Sequence, residues 1–570
     1  MSLALLLGLL SLVPAVSGVI LLLGSRVLSR LVAAIWCGVV LLFSLIVVLL
    51  LARLLTYGDT IQSTAFAPAG WARWLQLSYQ VDSFNIFSAL VIGVLASAVA
   101  VVLIALEPAQ AEPERLEAQG RIGRWNCTWQ MGMLLIALGA VSLAIFANSA
   151  LWVVVGWGLA GLCAFTLIIQ GQPRRRALLL LAAPCVAAIV LYLSLLPAIS
   201  TLEDQRLDLL NGLGREPFWA ALIMLAALLT PGIALLALQA TSSRAPRPAA
   251  MGQSAAYVLM ASPVTFTAFA RLALLIAGPG MVTPGSGFFG WRAFSLVIIW
   301  ACAALALTAA LLAQRYVQRA SLPIFLSIQL LSWMLMGVAV TGTAALNGAL
   351  MFKLLRLLAL GALLLAGNRK PAQPILNMGW WLAALALSAL PFSAGFSSAW
   401  LVTSGAVAAG PAWLAGSVFN WLALLLVTLA IARVGGTEGI TTEAPQPESS
   451  GQAELLPGFL LLVLALLTLA LGIAPEVAVN FFTGPAASSL PVIGNQAPGA
   501  GVQTDPLGLL TATGIWLPGL FWLLAVVLLL LCFFLTRHTR QAATVPAFLG
   551  GEAEAERRDD TIPASPPRAE

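Results

Sequence analysis

The chain has 570 residues, of which 61% are hydrophobic and 9% are charged. Soluble globular proteins carry about 25% charged residues, so the composition excludes a soluble fold and indicates helices that face lipid or one another. The net charge of +6 does not indicate nucleic-acid binding, because the basic residues fall in short connections between apolar runs.

The apolar runs predict an all-α polytopic membrane protein, a bundle of about 14–15 transmembrane helices, since each crossing needs about 20 apolar residues. The 49 glycines and 32 prolines predict that some helices are discontinuous, which a membrane bundle tolerates where neighbouring groups satisfy the backbone. The predicted spans are residues 2–23, 31–52, 82–106, 130–149, 150–170, 177–199, 218–240, 252–278, 293–313, 322–342, 344–367, 378–404, 411–433, 456–474 and 511–536.

The basic residues alternate between the two sides of this arrangement. Connections after odd-numbered spans, together with the C-terminal tail, hold 20 of the 28 lysines and arginines. Cytoplasmic connections of membrane proteins are rich in these residues. The pattern predicts a multi-pass protein of the cell (inner) membrane with its N-terminus outside and its C-terminus in the cytoplasm.

The sequence predicts a single transmembrane domain over residues 1–536. Its longer connections, residues 107–129, 434–455 and 475–508, are polar or rich in glycine and proline. Residues 537–570 form a charged, proline-rich cytoplasmic tail, which we expect to be largely disordered because it has few residues that could form a core.

Three cations lie inside predicted spans: Arg271, Lys353 and Arg356. A charge in the bilayer centre costs about 2.5–3.5 kcal/mol on insertion scales, so each is a candidate functional residue. Lys353 and Arg356 are three residues apart and share one helix face, where they could line a proton path. The alternative is that Arg356 binds backbone carbonyls or lipid phosphate while Lys353 extends to the membrane surface.

Carboxylates are absent from the interior of every predicted span. Asp82, at the start of the third span, is the nearest, and it is either a member of an ion path or a residue that stabilises the helix start. A relay built from carboxylates alone cannot be drawn, so proton transfer would need Lys353, hydroxyl groups and water.

Other chemistry is excluded by what the chain lacks. The six cysteines are scattered without a Cys-x-x-Cys pair, and His538 is the only histidine, so the sequence predicts no iron–sulfur or zinc site. It also has no phosphate-binding glycine motif and no Ser/His/Asp set. We expect no catalytic centre and no cofactor in this chain.

Several segments resemble the antiporter-like membrane subunits of respiratory complex I, Mrp-type cation/proton antiporters and membrane-bound hydrogenases. Residues 157–168 are similar to the W-E-L-x-G-L-C-S-Y-x-L-I stretch, and Asn148 stands at the expected distance before it. Further similar segments, in the family's order, are residues 81–87 (D-x-x-S-x-x-F), 262–265 (T-P-V-S), 318–319 (D-L-K-R), 349–355 (H-A-F-F-K-A-L) and 385–398 (A-L-A-G-x-P-P-F-S-G-F-x-S). The resemblance covers roughly residues 82–400.

The family's charges are mostly missing from these segments. Gly158 stands where the family has a membrane-embedded glutamate, while Gln318 and Ala399 stand where it has lysines. Ala268 and Phe269 replace a histidine–alanine pair, and Lys353 is the retained lysine.

The resemblance implies a helix bundle with two discontinuous helices, assembled with other membrane subunits of a redox-driven complex that moves protons or sodium ions. Redox cofactors would lie in those other subunits, so this chain would be at most one subunit of an NADH:quinone oxidoreductase or hydrogenase-type translocase. The missing charges predict weakened proton conduction. The alternatives are a stand-alone cation/proton antiporter and a non-conducting structural subunit.

Overall fold

The architecture is described from a computed structural model. It describes residues 3–55, 60–66, 75–105, 127–169, 174–199, 207, 218–241, 262–276, 291–315, 322–366, 374–391, 393–438, 455–490, 502–505 and 508–541. Gln318 and most of the predicted tail lie outside these residues.

The apolar runs form helices in the predicted order. Ten helices of the described part are long and apolar enough to cross a membrane, and one bent pair makes an eleventh when its two parts are counted together. The all-α membrane class is confirmed. The main helices are α1 (Leu3–Leu23), α2 (Arg30–Leu54), α3 (Ser83–Ala105), α4 (Cys127–Phe146), α5 (Ala150–Ile168), α6 (Arg174–Ile199), α7 (Phe218–Thr241), α8 (Ser262–Ile276), α9 (Trp291–Arg315), α10 (Leu322–Val340), α11 (Thr343–Leu355), α12 (Gly361–Ala366), α13 (Pro374–Ala386), α14 (Ala394–Ala409), α15 (Pro411–Glu438) and α16 (Leu455–Ile473).

The predicted span 378–404 is interrupted. Helix α13 ends at Ala386 and α14 begins at Ala394, because Pro391 cannot continue a helix. Ser393 satisfies two polar groups of the break: its Oγ accepts the Phe396 N–H at 3.1 Å and donates to the Ser388 carbonyl at 2.8 Å. The expected discontinuous helix is therefore present here.

A second irregular segment follows α16. The chain bends by 101° at Ala474 and continues through α17 (Pro475–Ala478), a π turn (Val479–Thr483) and α18 (Gly484–Ser488). Residues 475–488, predicted to belong to a loop, are thus helical. The bent segment reaches two other helices, since Thr483 Oγ1 donates to Asn347 Oδ1 at 2.9 Å and Ser489 Oγ accepts the Phe84 N–H at 3.0 Å.

Two small antiparallel sheets lie between helices. The first pairs β1 (Ile61–Phe66) with β2 (Leu77–Val81), and the second has the order β3 (Gln503–Asp505), β4 (Gly508–Thr511), β5 (Gly514–Trp516). Strands β4 and β5 occupy the start of the predicted span 511–536, so the last helix, α19, runs over Pro518–Gln541.

Helices α1 and α4 approach each other through small residues. A Cβ atom added to Gly18 would lie 2.5 Å from the Gly132 carbonyl oxygen, and one added to Gly139 would lie 2.5 Å from that of Ser11. Small residues allow backbones in membranes to come this close, and the resulting van der Waals contact holds the helices together.

The chain divides into two compact units, Met1–Gly519 and Leu520–Glu570. The first contains α1 to α18 and all five strands, and the second contains α19 from Leu520 onward. A single transmembrane domain over residues 1–536 stays a prediction.

Candidate functional site: a polar seam through the helix bundle

Lys353 is fully buried near the end of α11. Its Nζ donates to Ser88 Oγ of α3 at 2.5 Å and to Thr267 Oγ1 of α8 at 2.9 Å. Because the ammonium lies inside the bundle, it does not extend to the membrane surface.

Three aromatic rings complete the surroundings of this ammonium. Nζ lies 5.0 Å from the ring centroid of Phe84, 5.9 Å from that of Phe87 and 5.1 Å from that of Phe266. Ring faces attract a cation, and the two hydroxyl oxygens accept hydrogen bonds from it. A neutral amine could equally accept a hydroxyl proton, so the pocket suits both protonation states of Lys353.

Helix α3 supplies Ser88 through a polar stripe in an otherwise apolar sequence. Asp82, Asn85 and Ser88 recur every third residue, which puts them on neighbouring positions of one helix face. All three are buried, so this face looks into the bundle.

Arg356 begins a π turn, Arg356–Leu360, that interrupts the helix after Lys353. π turns are frequent at functional sites. Arg356 is fully buried, and its guanidinium donates to the carbonyl of Ser327 at 2.9 Å and to the hydroxyl of the same residue. The backbone contact fits the interpretation that Arg356 binds carbonyls. Arg356 is also a second buried cation, one turn of helix after Lys353.

Asp82 stabilises the start of α3. Its Oδ1 accepts the Asn85 N–H at 2.7 Å, and its Oδ2 accepts from Gln80 Nε2 at 3.2 Å and Asn85 Nδ2 at 3.3 Å. A carboxylate at a helix start satisfies free N–H groups and interacts favourably with the helix dipole. The side chain is 5% exposed, so it remains a buried charge as well as a cap.

Arg271 binds the opposite kind of helix end. Its Nη1 donates to the carbonyls of Ile145 at 2.6 Å and Ala147 at 2.7 Å, just where α4 ends. Helix C-termini have free carbonyls and a partial negative charge, so a cation is favourable there. Asp82 and Arg271 also interact electrostatically, which brings the four candidate ionisable residues into one array.

We call this array the polar seam; it consists of Asp82, Ser88, Thr267, Arg271, Ser327, Lys353 and Arg356. Thr267 and Arg271 are neighbours one turn apart on α8. The seam therefore connects helices α3, α8, α10 and α11. The structure brings together every ionisable candidate residue that the sequence indicated.

The seam runs along the helices and not across them. The bent segment after α16 contacts Phe84 and Asn347, so α3 and α11 begin at the same end of the bundle. With a rise of 1.5 Å per residue, Ser88 lies about 9 Å beyond Asp82. Arg356 lies about 4.5 Å beyond Lys353. Ser327 is about 8 Å from the opposite end, because α10 and α11 are antiparallel neighbours joined by residues 341–342.

The positions that lack the expected charge differ in their surroundings. Gly158 of α5 faces α6, where an added Cβ atom would lie 2.8 Å from Ala188 Cβ. Ala399 is fully buried in α14. Gln318 lies outside the described residues. At the two described positions, then, a small residue stands in place of an ionisable group.

Comparison with solved structures identifies the fold. No protein-family model and no curated protein matches the sequence. A chain of the archaeal membrane-bound sulfane sulfur reductase, a respiratory membrane complex, is similar with a TM-score of 0.68 at 15% identity, covering 92% of this chain and 84% of that one. A chain of respiratory complex I from Thermus thermophilus gives 0.63 at 19% identity, covering 86% and 100%. The chain has the fold of these complexes' membrane subunits.

A third similar structure extends this result to an antiporter complex. A chain of the Mrp complex from Dietzia sp. matches with a TM-score of 0.62 at 17% identity, covering 86% of this chain and 98% of that one. These neighbours are consistent with the antiporter-like subunit family that the motifs resemble. Two of those motifs meet directly, since Trp157 Nε1 donates to Thr265 Oγ1 at 3.2 Å.

The sequence did not identify the hydroxyl partners of the cations. Ser88, Thr267 and Ser327 are common residue types in membrane helices, and no spacing marks Ser327. The three-residue recurrence of Asp82, Asn85 and Ser88 was the available signal for Ser88. The partner of Lys353 on α8 depends on how α8 packs, which sequence alone does not give.

Proposed function

We propose that the chain is a membrane subunit of a complex-I-like or hydrogenase-like complex that moves protons or cations across the membrane. The observation that carries this proposal is the polar seam, in which a fully buried lysine is held by two hydroxyls. Ionisable groups in a membrane interior mark ion or proton pathways. Redox cofactors would lie in other subunits.

Lys353 is the central proton-binding group of this proposal. Its neighbours Ser88 and Thr267 can each donate or accept a proton, so a proton can enter and leave the amine through them. Conduction would be weak, because Gly158 and Ala399 provide no ionisable group and Asp82 is the one carboxylate in the seam.

Proton uptake into vesicles that contain the purified complex tests the role of Lys353. We expect Lys353→Ala to lower uptake to the rate of protein-free vesicles. Arg53→Ala, which removes an exposed cation at the end of α2, should leave it unchanged. An undiminished rate in Lys353→Ala would remove this lysine from the mechanism.

Purification of the native assembly tests the membership in a complex. We expect redox or hydrogenase subunits to accompany the chain through mild detergent extraction and gel filtration. A chain that migrates alone and still conducts would favour the stand-alone antiporter. A chain that migrates with redox subunits but conducts no ions would favour the non-conducting structural subunit.

A further inference from the structure

Four buried side-chain atoms near Asp82 have no hydrogen-bond partner among the residues that the structure describes. They are Ser78 Oγ, Asn85 Oδ1, Ser149 Oγ and Arg271 Nη2. Leaving a buried polar group without a hydrogen bond destabilises the folded state, and native proteins contain few such groups. Four such atoms in one region therefore indicate a bound ligand.

The residues that carry these four atoms come together around a single backbone contact. Tyr79 and Ala147 form an antiparallel bridge, and next to it the Asn148 N–H donates to the Ser78 carbonyl at 2.8 Å. Arg271 Nη1 donates to Ala147. Asn85 Nδ2 donates to the carbonyl of Gln80, the residue after Tyr79, at 3.0 Å.

The hydrogen-bonding properties of these four atoms indicate which ligand would bind. Arg271 Nη2 can only donate, Asn85 Oδ1 can only accept, and the two hydroxyls can do both. A metal cation would be repelled by Arg271, and an anion would be repelled by Asp82. Water bonds to donors and acceptors alike, and buried waters take two to four such partners.

We propose that bound water occupies the Asp82 end of the polar seam, between Ser78, Asn85, Ser149 and Arg271, and that Asp82 exchanges protons with it. The water site stands independently, whereas its part in translocation rests on the proposed function. Arg271 acts as a positioning residue, because its bonds to the end of α4 fix the guanidinium beside the carboxylate.

The proton transfer balances as one release step, after which a proton from the medium restores the Lys353 ammonium. The Lys353 ammonium gives one proton through the Thr267 hydroxyl and bound water to the Asp82 carboxylate, leaving a neutral amine and a carboxylic acid. Asp82 then gives the proton to the water at its end of the seam and returns to the carboxylate. The groups that face Asp82 are Arg271 from α8, Gln80 from β2 and Asn85 from its own helix, with Lys353 of α11 further along.

Infrared difference spectroscopy on the full-length chain in lipid nanodiscs tests this inference without requiring transport. A pH titration should reveal the carbonyl band of a protonated carboxylic acid that disappears in Asp82→Asn and persists in Asp505→Asn, a change on the exposed part of strand β3. The band should shift within the mixing time in heavy water. Arg271→Gln should move its titration midpoint to higher pH, because a neighbouring cation favours the carboxylate.

Several results would overturn the inference. They are the absence of an Asp82-dependent band, a band that does not exchange in heavy water, and a density map with a protein side chain in place of water at Arg271 Nη2. If Asp82→Asn does not fold, Asp82→Glu should displace the band in its place. A band that survives in Lys353→Ala while transport is unaffected by that change would refute the proposed function and leave the water site intact.

Discussion

At Gly158, a close contact between two helices takes the place of an ionisable side chain. Where the similar family has a charged side chain, this chain has a glycine that brings α5 close to Ala188 of α6. In a membrane, such contacts between small residues replace the hydrophobic driving force that holds soluble helices together. The glycine is therefore part of the helix interface.

We expect Gly158→Ala to destabilise the protein by about 1–3 kcal/mol, the usual effect of overpacking a tight contact. The added Cβ would lie 2.8 Å from Ala188 Cβ, so the two helices would have to separate. Thermal unfolding in detergent gives the measurement. Gly38→Ala is the matched control, since a Cβ there has no neighbour within 4 Å. Equal stability of the two variants would contradict the contact.

At the scale of elements, the β4–β5 hairpin is fixed to helix α14. Trp516 Nε1 donates to Ser397 Oγ at 3.0 Å, and the ring lies 4.7 Å from that of Phe396. Further along the helix, the Ser404 hydroxyl bonds to Thr511 at 2.6 Å and to Thr513. The hairpin thus covers the second half of the interrupted helix over about two turns.

Trp516→Ala should destabilise the chain by about 3–5 kcal/mol, the cost of removing a buried aromatic side chain. Ile515→Ala on the same strand should have little effect, because Ile515 is 62% exposed. The unfolding temperature of each variant decides the matter. Equal unfolding temperatures of the two variants would show that the hairpin does not stabilise α14.

The sequence predicted the helices better than the places where they break. Apolar length locates a span, and Pro391 offered a signal for the interruption after α13. Pro475 offered a similar signal for the bend after Ile473. The helix that follows had none, because residues 475–488 are too short and mixed to be recognised as helix. The charged members of the polar seam were predicted as single residues. Their contacts depend on how α3 and α8 pack against the α10–α11 pair, which is distant from both in sequence.

At the scale of the whole molecule, the orientation of the chain in the membrane determines on which side Asp82 lies. The alternation of basic residues predicts that the third span begins outside, so the Asp82 end of the seam would face the external medium. The Ser327 end would then lie near the cytoplasm. The direction of proton release follows from this orientation.

Labelling of single cysteines in a variant without the six native ones tests the orientation. A membrane-impermeant thiol reagent added to intact cells should modify Ala512→Cys, in the turn of the β4–β5 hairpin. It should not modify Val27→Cys, between α1 and α2, where the side chain is 88% exposed. In inside-out vesicles the reagent should modify Val27→Cys and leave Ala512→Cys unmodified. Modification of both from one side would refute the predicted arrangement.

The close contact of α1 with α4 also has a consequence for biosynthesis. About 100 residues separate the end of α1 from the start of α4, and ribosomes add roughly 5–20 residues per second. The face of α1 that contains Gly18 is therefore synthesised on the order of 5–20 s before α4. During that interval the first helix must be held by lipid or by the insertion machinery, so the order of assembly is set by translation as well as by affinity.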